Sequence, residues 1–123
     1  MPRRKILVVD DEVDVVELLG FRLKTRGYDV LKAYGGEEGF GLARGEKPDL
    51  ILPDILLPDV SGIDICRRLK SDPQLQGIPV ILISASVTQI NEAKRMGRAD
   101  GILQKPFEPE ELFRTIAPYL KAA

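Results

Sequence analysis

The chain contains no histidine, one cysteine, and no apolar run long enough to cross a bilayer. Each absence closes a class of function. Without histidine the commonest metal ligand and the commonest general base are both missing, so any chemistry must rest on carboxylates, hydroxyls and lysine. The single cysteine, Cys66, has no disulfide partner. It sits in a helix-like stretch as a small apolar filler, which fits a reducing compartment. A membrane span needs roughly 20 apolar residues, and Met-Pro-Arg-Arg-Lys at the start leads into a strand-like run, not a secretory signal. A soluble cytoplasmic protein without membrane contact is expected. Charge of either sign is not in excess: eighteen basic residues face nineteen acidic ones, for a net charge of −1. No basic field exists to hold nucleic acid, so direct nucleic-acid binding by this domain is not expected.

What is present reads as one compact domain over residues 1–123, large enough for a real core and too small for two. Lys5 to Val9 is a short apolar and β-branched run, followed by Asp10, Asp11 and Glu12 and then by Val16, Leu19 and Leu23 at helical spacing. Asp14 with Glu17 has the spacing of a capping box, and Gly27 is a plausible stop. Strand-like segments recur at Val30–Ala33, Leu50–Leu52, Val80–Ile83 and Ile102–Leu103. Helical ones follow at Ile63–Leu69, Val87–Met96 and Glu110–Leu120, with a glycine-rich, loosely helical stretch from Gly35 to Gly45. Short apolar strands alternating with helices predict an α/β fold: a doubly wound five-stranded parallel sheet, in flavodoxin-like order 2-1-3-4-5, with helices on both faces.

In such a sheet, ligands bind beyond the carboxyl ends of the strands. Strand one ends in Asp10 and Asp11, strand three in Asp54 and strand four in Ser84, and strand five leads to Lys105. If strands one and three are neighbours, three carboxylates converge, and like charges that close need cations among them. Lys105 supplies one. A divalent ion would supply the other, and an all-oxygen site suits a hard ion such as Mg2+, with calcium left open and no EF-hand spacing present. A cation beside a free carboxylate, a hydroxyl and an ammonium is the equipment of phosphoryl transfer. Asp54 would be the nucleophile, and Ser84 and Lys105 would hold phosphoryl oxygens. A single aspartate at a strand end is most often a cap or a solvated loop residue. Five polar residues distributed over four strand ends are hard to explain that way.

The pieces Ile6-Leu7-Val8-Val9-Asp10-Asp11-Glu12, Pro48-Asp49-Leu50-Ile51-Leu52 before Asp54, Leu57-Pro58-Asp59 with Gly62, Pro79 to Ala85, and Lys105-Pro106-Phe107 occur in this order. In them the chain resembles the response-regulator receiver domain of two-component signal transduction, over essentially its whole length. The resemblance implies that Asp54 receives a phosphoryl group from a histidine kinase or histidine phosphotransfer protein. It implies a Mg2+ site with Asp11 and Asp54 as direct ligands, Asp10 through water and the backbone carbonyl of Leu56. It also implies a cis Lys105-Pro106 peptide, a signalling switch that assists only its own phosphorylation and dephosphorylation, and a downstream protein target or output domain. A homodimer through the face of helix 4, strand 5 and helix 5 is a further option of the family.

Four positions depart from the pattern. Ile102 stands where receivers usually carry an aromatic, and Arg98 where a glycine is usual. Pro53 lies in a strand that should be central, where it removes a ladder donor. Pro118 should bend or end the last helix near Ala117. The alternative reading is a degenerate receiver that acts only as a protein-docking module, against which the intact Asp10, Asp11, Ser84 and Lys105 weigh. A haloacid-dehalogenase type phosphatase would need Asp-x-Asp after strand one, where this chain has Asp10-Asp11-Glu12. A dinucleotide site at Gly39-x-Gly41 has the wrong spacing, and Glu37 and Glu38 would repel phosphate.

Overall fold

A computed structural model describes residues 3–96 and 98–120. The elements alternate as the hydrophobic pattern requires: β1 (Lys5–Val9), α1 (Val13–Thr25), β2 (Asp29–Ala33), α2 (Gly36–Glu46), β3 (Leu50–Pro53), α3 (Gly62–Ser71), β4 (Ile81–Ser84), α4 (Val87–Met96), β5 (Gly101–Gln104) and α5 (Pro109–Ile116). All ladders are parallel. β1 lies between β2 and β3, and β4 pairs with β5. Isolated parallel bridges, Ile51 to Val80 and Asp54 to Ile83, join the two groups and complete the order 2-1-3-4-5.

The strand residues divide by parity, as a pleated sheet buried on both faces demands. Leu7, Val9, Ile51 and Leu82 pack with Ala43 of α2, Cys66 and Leu69 of α3 and Ala93 of α4. Ile6, Val8, Leu50, Leu52, Ile81 and Ile83 pack on the opposite face with Val16, Leu19 and Leu23 of α1 and Leu112 and Ile116 of α5. The doubly wound architecture is therefore a consequence of three central apolar strands, β1, β3 and β4, buried on both faces, with β2 and β5 half-exposed at the edges. Cys66 is buried in the first cluster, where desolvation pushes its thiol above the usual range. It is a packing residue.

Four helix ends show how local sequence and remote contacts share the work. α1 begins at Val13 with Glu12 as its N-cap and no side-chain capping bond, so the Asp14–Glu17 capping box does not form. The physical reason is position: the helix already begins at Val13, so Asp14 lies inside its first turn and cannot be the N-cap, and Glu17 Oε2 instead accepts from Lys32 Nζ at 2.6 Å, across to β2. The stop at Gly27 does form. Its φ is +88°, and the N–H groups of Arg26, Gly27 and Tyr28 donate to carbonyls of the last turn. α3 is capped locally, with Ser61 Oγ accepting from the Ile63 N–H at 3.0 Å. α2 starts at two glycines with no side chain to cap it, and the cap arrives from the β3–α3 loop. Asp59 accepts from the Gly36 N–H at 2.8 Å and the Glu37 N–H at 3.0 Å. Those bonds hold its carboxyl below the usual range.

The glycines of α2 are not equivalent. A Cβ on Gly39 would lie 2.8 Å from Val9 Cγ2, so the helix lies directly on β1 only because that position is bare. Gly41 faces open space. After α5, Pro118 ends the α-helix as expected. The chain tightens into a 3-10 turn at Ala117–Tyr119, and Tyr119 donates its hydroxyl to the Asp100 carbonyl at 2.8 Å.

Two substitutions on one helix should therefore have opposite signs. Gly41→Ala is expected to stabilise the fold by about 0.5–1 kcal/mol, because alanine removes unfolded-state freedom at no steric cost. Gly39→Ala is expected to destabilise by roughly 1–3 kcal/mol through overpacking against Val9. Urea denaturation of both variants measures this, and equal signs would show that α2 is not held against β1 at Gly39.

Candidate functional site

The first residues beyond β1 and β3 are held side by side by backbone bonds. Asp10 donates its N–H to the Ala33 carbonyl at 3.1 Å, and Asp54 donates its N–H to the Val9 carbonyl at 2.8 Å. Both side chains are buried, Asp10 to 2% and Asp54 to 7% relative exposure. Burying two carboxylates together is costly without a counter-charge. Lys105, whose own N–H donates to the Ser84 carbonyl at 2.8 Å, reaches them from the end of β5. Its ammonium donates to Asp54 Oδ2 at 2.6 Å and to Asp10 Oδ2 at 2.9 Å. The other oxygens are also occupied: Asp10 Oδ1 accepts from the Glu12 N–H at 3.0 Å and Asp54 Oδ1 from the Leu56 N–H at 2.9 Å.

The electrostatics follow from this arrangement. Burial pushes the Asp54 carboxyl above the usual carboxylate range, against the opposing pull of Lys105 and the Leu56 N–H, and Asp10 adds to the upward push. Burial alone would lower the Lys105 ammonium, but the bonds to Asp54 and Asp10 outweigh it and leave it raised. One lysine is shared by two acids, and one negative charge is left over.

The remaining expected residues surround this triad without touching it so closely. Ser84, at the end of β4, is fully buried, and its Oγ accepts from the Ser86 N–H at 3.0 Å. Asp11 is exposed, as is the Leu56 side chain. Among the described residues no three His, Cys, Asp or Glu side chains stand close enough together to hold a metal ion. The Lys105-Pro106 peptide is cis.

Two residues shape the site in ways the sequence reading did not assign. Gly62, at the start of α3, donates its N–H to the Ile55 carbonyl at 2.8 Å. A Cβ there would collide with the Asp54 carbonyl oxygen. Asp59 ties the same loop to α2. The signal for Asp59 was available, since a helix that opens on Gly35-Gly36 must find its cap elsewhere. No one-dimensional signal marks the close approach at Gly62. Beside Lys105, a cavity of about 390 Å³ is lined by Val15, Leu18, Arg22, Ala85 and Phe107.

Fold and site together define a doubly wound α/β signalling domain with an acidic, lysine-bridged site at the strand carboxyl ends. The chain belongs to the response regulator receiver domain family, whose pattern it matches over residues 6–117. It is 37% identical over 119 residues to the alkaline phosphatase synthesis transcriptional regulatory protein PhoP of Bacillus subtilis, covering 96% of this chain and 49% of that protein. It is 36% identical over 122 residues to the phosphate regulon transcriptional regulatory protein PhoB of Pseudomonas aeruginosa, covering 98% and 53%. The chain thus spans about half the length of these relatives. Among solved structures, the chemotaxis response regulator CheY4 of Vibrio cholerae superposes with a TM-score of 0.88 at 26% identity, covering 97% of this chain and all of that one. The response regulator TrrA of Thermotoga maritima, solved in complex with Mg2+ and BeF, superposes with a TM-score of 0.87 at 29% identity, covering 95% and 99%.

The raised Asp54 carboxyl carries a stability sign. Its ionisation is less favourable in the fold than in the unfolded chain, so it removes stability as pH rises from about 3.9, the unfolded value, through the higher folded value. Asp54→Asn is therefore expected to raise the urea midpoint at pH 7 and to leave it nearly unchanged near pH 3, where both states hold the proton. A midpoint that falls at pH 7 would show that the bond to Lys105 outweighs burial.

Proposed function

We propose that Asp54 is the phosphoacceptor of this receiver domain, with Lys105 and Ser84 as the groups that receive the phosphoryl oxygens. The observation that carries the reading is the Lys105 ammonium held between Asp54 Oδ2 and Asp10 Oδ2 at 2.6 and 2.9 Å. A carboxylate oxygen of Asp54 attacks phosphorus. The new O–P bond forms as the N–P bond of a phosphohistidine donor breaks, and the donor imidazole leaves and regains its proton from solvent. Lys105 is a compact charge on a flexible stem, suited to following the phosphoryl group as it replaces the carboxylate negative charge. The Ser84 hydroxyl accepts from Ser86 and keeps its own hydrogen free to donate to a phosphoryl oxygen. Gly62 holds the backbone behind Asp54, and the Leu56 N–H orients its Oδ1.

The donor chemistry fits a magnesium ion. All available ligands are oxygens, and the charge left after Lys105 is negative, increased further by Asp11. Asp10, Asp11 and Asp54 with the Leu56 carbonyl would hold it, and when bound it supplies the charge neutralisation that phosphoryl transfer needs. The acceptor role implies a histidine kinase or histidine phosphotransfer protein as donor. The length and names of the relatives support a downstream target or output domain, to which this domain passes a change of shape. The domain itself turns over no external substrate in this reading. Among the described residues no helix is long and apolar enough to cross a membrane, and a cytoplasmic location accords with the kinase partner.

Incubation with acetyl phosphate and Mg2+, followed by intact mass measurement, tests the assignment. One added phosphoryl group is expected, absent from Asp54→Asn and suppressed by chelator. Asp11→Ala is expected to slow the reaction by roughly two orders of magnitude, the usual cost of losing one charge-stabilising group. Modification of Asp10 or Ser84, or an undiminished reaction in chelator, would overturn the mechanism.

A further inference from the structure

The ligands proposed for the cation come from two places. Asp10 and Asp11 follow β1, and Asp54 and the Leu56 carbonyl follow β3. Asp54 is fixed by its own bonds: its N–H donates to the Val9 carbonyl at 2.8 Å, and its Oδ1 accepts from the Leu56 N–H at 2.9 Å. The Leu56 carbonyl is held differently. It belongs to the next planar peptide unit, so its direction is set by the path of the chain through Leu57 and beyond.

That path is short and stiff. Pro58 fixes its own φ and confines Leu57 to extended backbone, so a displacement at residue 59 reaches the 56–57 peptide with little slack. Asp59 is fastened at the far end of this strut. Its Oδ1 accepts from the Gly36 N–H at 2.8 Å and the Val60 N–H at 2.9 Å, and its Oδ2 from the Glu37 N–H at 3.0 Å. So close an approach depends on the bare start of α2, where a Cβ on Gly36 would lie 3.0 Å from Val60 Cβ. Leu57 and Val60 also pack against the core, but apolar burial is non-directional, whereas hydrogen bonds to a carboxylate fix position. α2 is in turn a fixed reference. The Tyr34 N–H donates to Glu38 Oε1 at 2.7 Å at its start, and Gly39 lies on Val9, the residue before Asp10. The cap therefore joins the loop after β3 to the strand that carries the other acids.

We infer that Asp59 is a positioning residue for the cation site: by capping α2 from the β3–α3 loop, it sets the direction of the Leu56 carbonyl relative to Asp10 and Asp11. This rests on the reading of those residues as the Mg2+ ligands. In this role Asp59 touches neither the cation nor the phosphoryl group. Without the cap, the loop keeps its base through the Gly62 bond to the Ile55 carbonyl and the Ser61 cap of α3, and Asp54 keeps its own bonds. The 56–57 peptide, however, is free to turn, and one ligand must be ordered on binding. The effect falls on cation affinity and not on attack by Asp54. By linkage, the cap is strengthened by the same factor when the cation is bound.

The test is a Mg2+ titration followed by amide chemical shifts in the wild type, Asp59→Ala, Asp59→Asn and Lys70→Ala. Asp59→Ala is expected to raise the Mg2+ dissociation constant roughly tenfold, the low end of the cost of removing a residue that supports a metal ligand. Asp59→Asn removes the charge but keeps an oxygen for the Gly36 and Val60 N–H groups, and asparagine caps about as well as aspartate, so its rise should stay within about threefold. Lys70→Ala breaks bonds to the Ile78 carbonyl and Asp100 at the amino ends of β4 and β5, and should leave the constant unchanged while lowering stability. With acetyl phosphate, Asp59→Ala should need more Mg2+ for half-maximal rate yet reach a saturated rate within about twofold of the wild type. In the wild type itself, saturating Mg2+ should slow exchange of the Gly36 and Glu37 amides roughly tenfold and leave the Val80 amide, held by Asp100, unchanged. That measurement decides the matter if Asp59→Ala does not fold. A constant shared by the wild type and Asp59→Ala would overturn the inference, as would unchanged exchange at Gly36 and Glu37. Equal losses in Asp59→Asn and Asp59→Ala would assign the effect to charge, and an equal loss in Lys70→Ala would assign it to stability; either result overturns the positioning role. If the wild type bound no Mg2+, the reading of the cation site would itself fall, and this inference with it.

Discussion

Two carboxylates buried at the ends of adjacent strands must share one ammonium, and much of the molecule is arranged around that constraint. Asp10 and Asp54 are brought together because β1 and β3 are neighbours, and they are withdrawn from water because α/β layers cover both faces of the sheet. Lys105 offsets part of the cost, and backbone N–H groups of Glu12 and Leu56 offset more. A fully neutralised cluster would be a structural ion-pair network, whereas this one holds an excess negative charge that favours a hard cation and lets an arriving phosphoryl group alter the balance.

Asp54 is fixed from behind as firmly as it is held in front. Gly62 allows α3 to begin against the backbone of Asp54, and the loop between them sends Asp59 back to cap α2. One short loop therefore supports Asp54, starts one helix and caps the start of another. Gly39 performs the complementary task on the other side of β1, letting α2 lie on Val9. These are contacts of bare backbone, and the one at Gly39 shows why α2 keeps a glycine there: its lost helix propensity is small beside the packing on Val9 that it permits.

The departures from the family pattern take on a common physical sense in the structure. Pro53 lacks an N–H and sits between the two bridges, Ile51 to Val80 and Asp54 to Ile83, that join β3 to β4, and Ile102 is a half-buried aliphatic packed against the core cluster of Leu82. Pro118 turns the end of α5 into a tight 3-10 turn, and Tyr119 fastens that turn to the backbone of Asp100, the residue that also anchors Lys70. The entrance of β4–β5 is thus tied to α3 and to the end of α5.

The sequence by itself determined the five strands, the helices, their layering and the identity of the polar residues at the strand ends. Hydrophobic period, turn residues and charge placement are local properties, and a parallel sheet converts them into one topology. The stops at Gly27 and Pro118 were legible for the same reason, since each acts through its own backbone. Tertiary structure alone decided the rest. The Asp14–Glu17 box failed because α1 begins before Asp14, and the Glu17 carboxylate goes instead to Lys32, fifteen residues away. The cap of α2 came from Asp59 in the β3–α3 loop, 23 residues from Gly36. Above all, which acids share Lys105 depended on a contact spanning 95 residues, to Asp10, and one spanning 51, to Asp54. Hydrogen bonds and ion pairs act over a few ångströms in space, and only the folded chain says which residues stand that close.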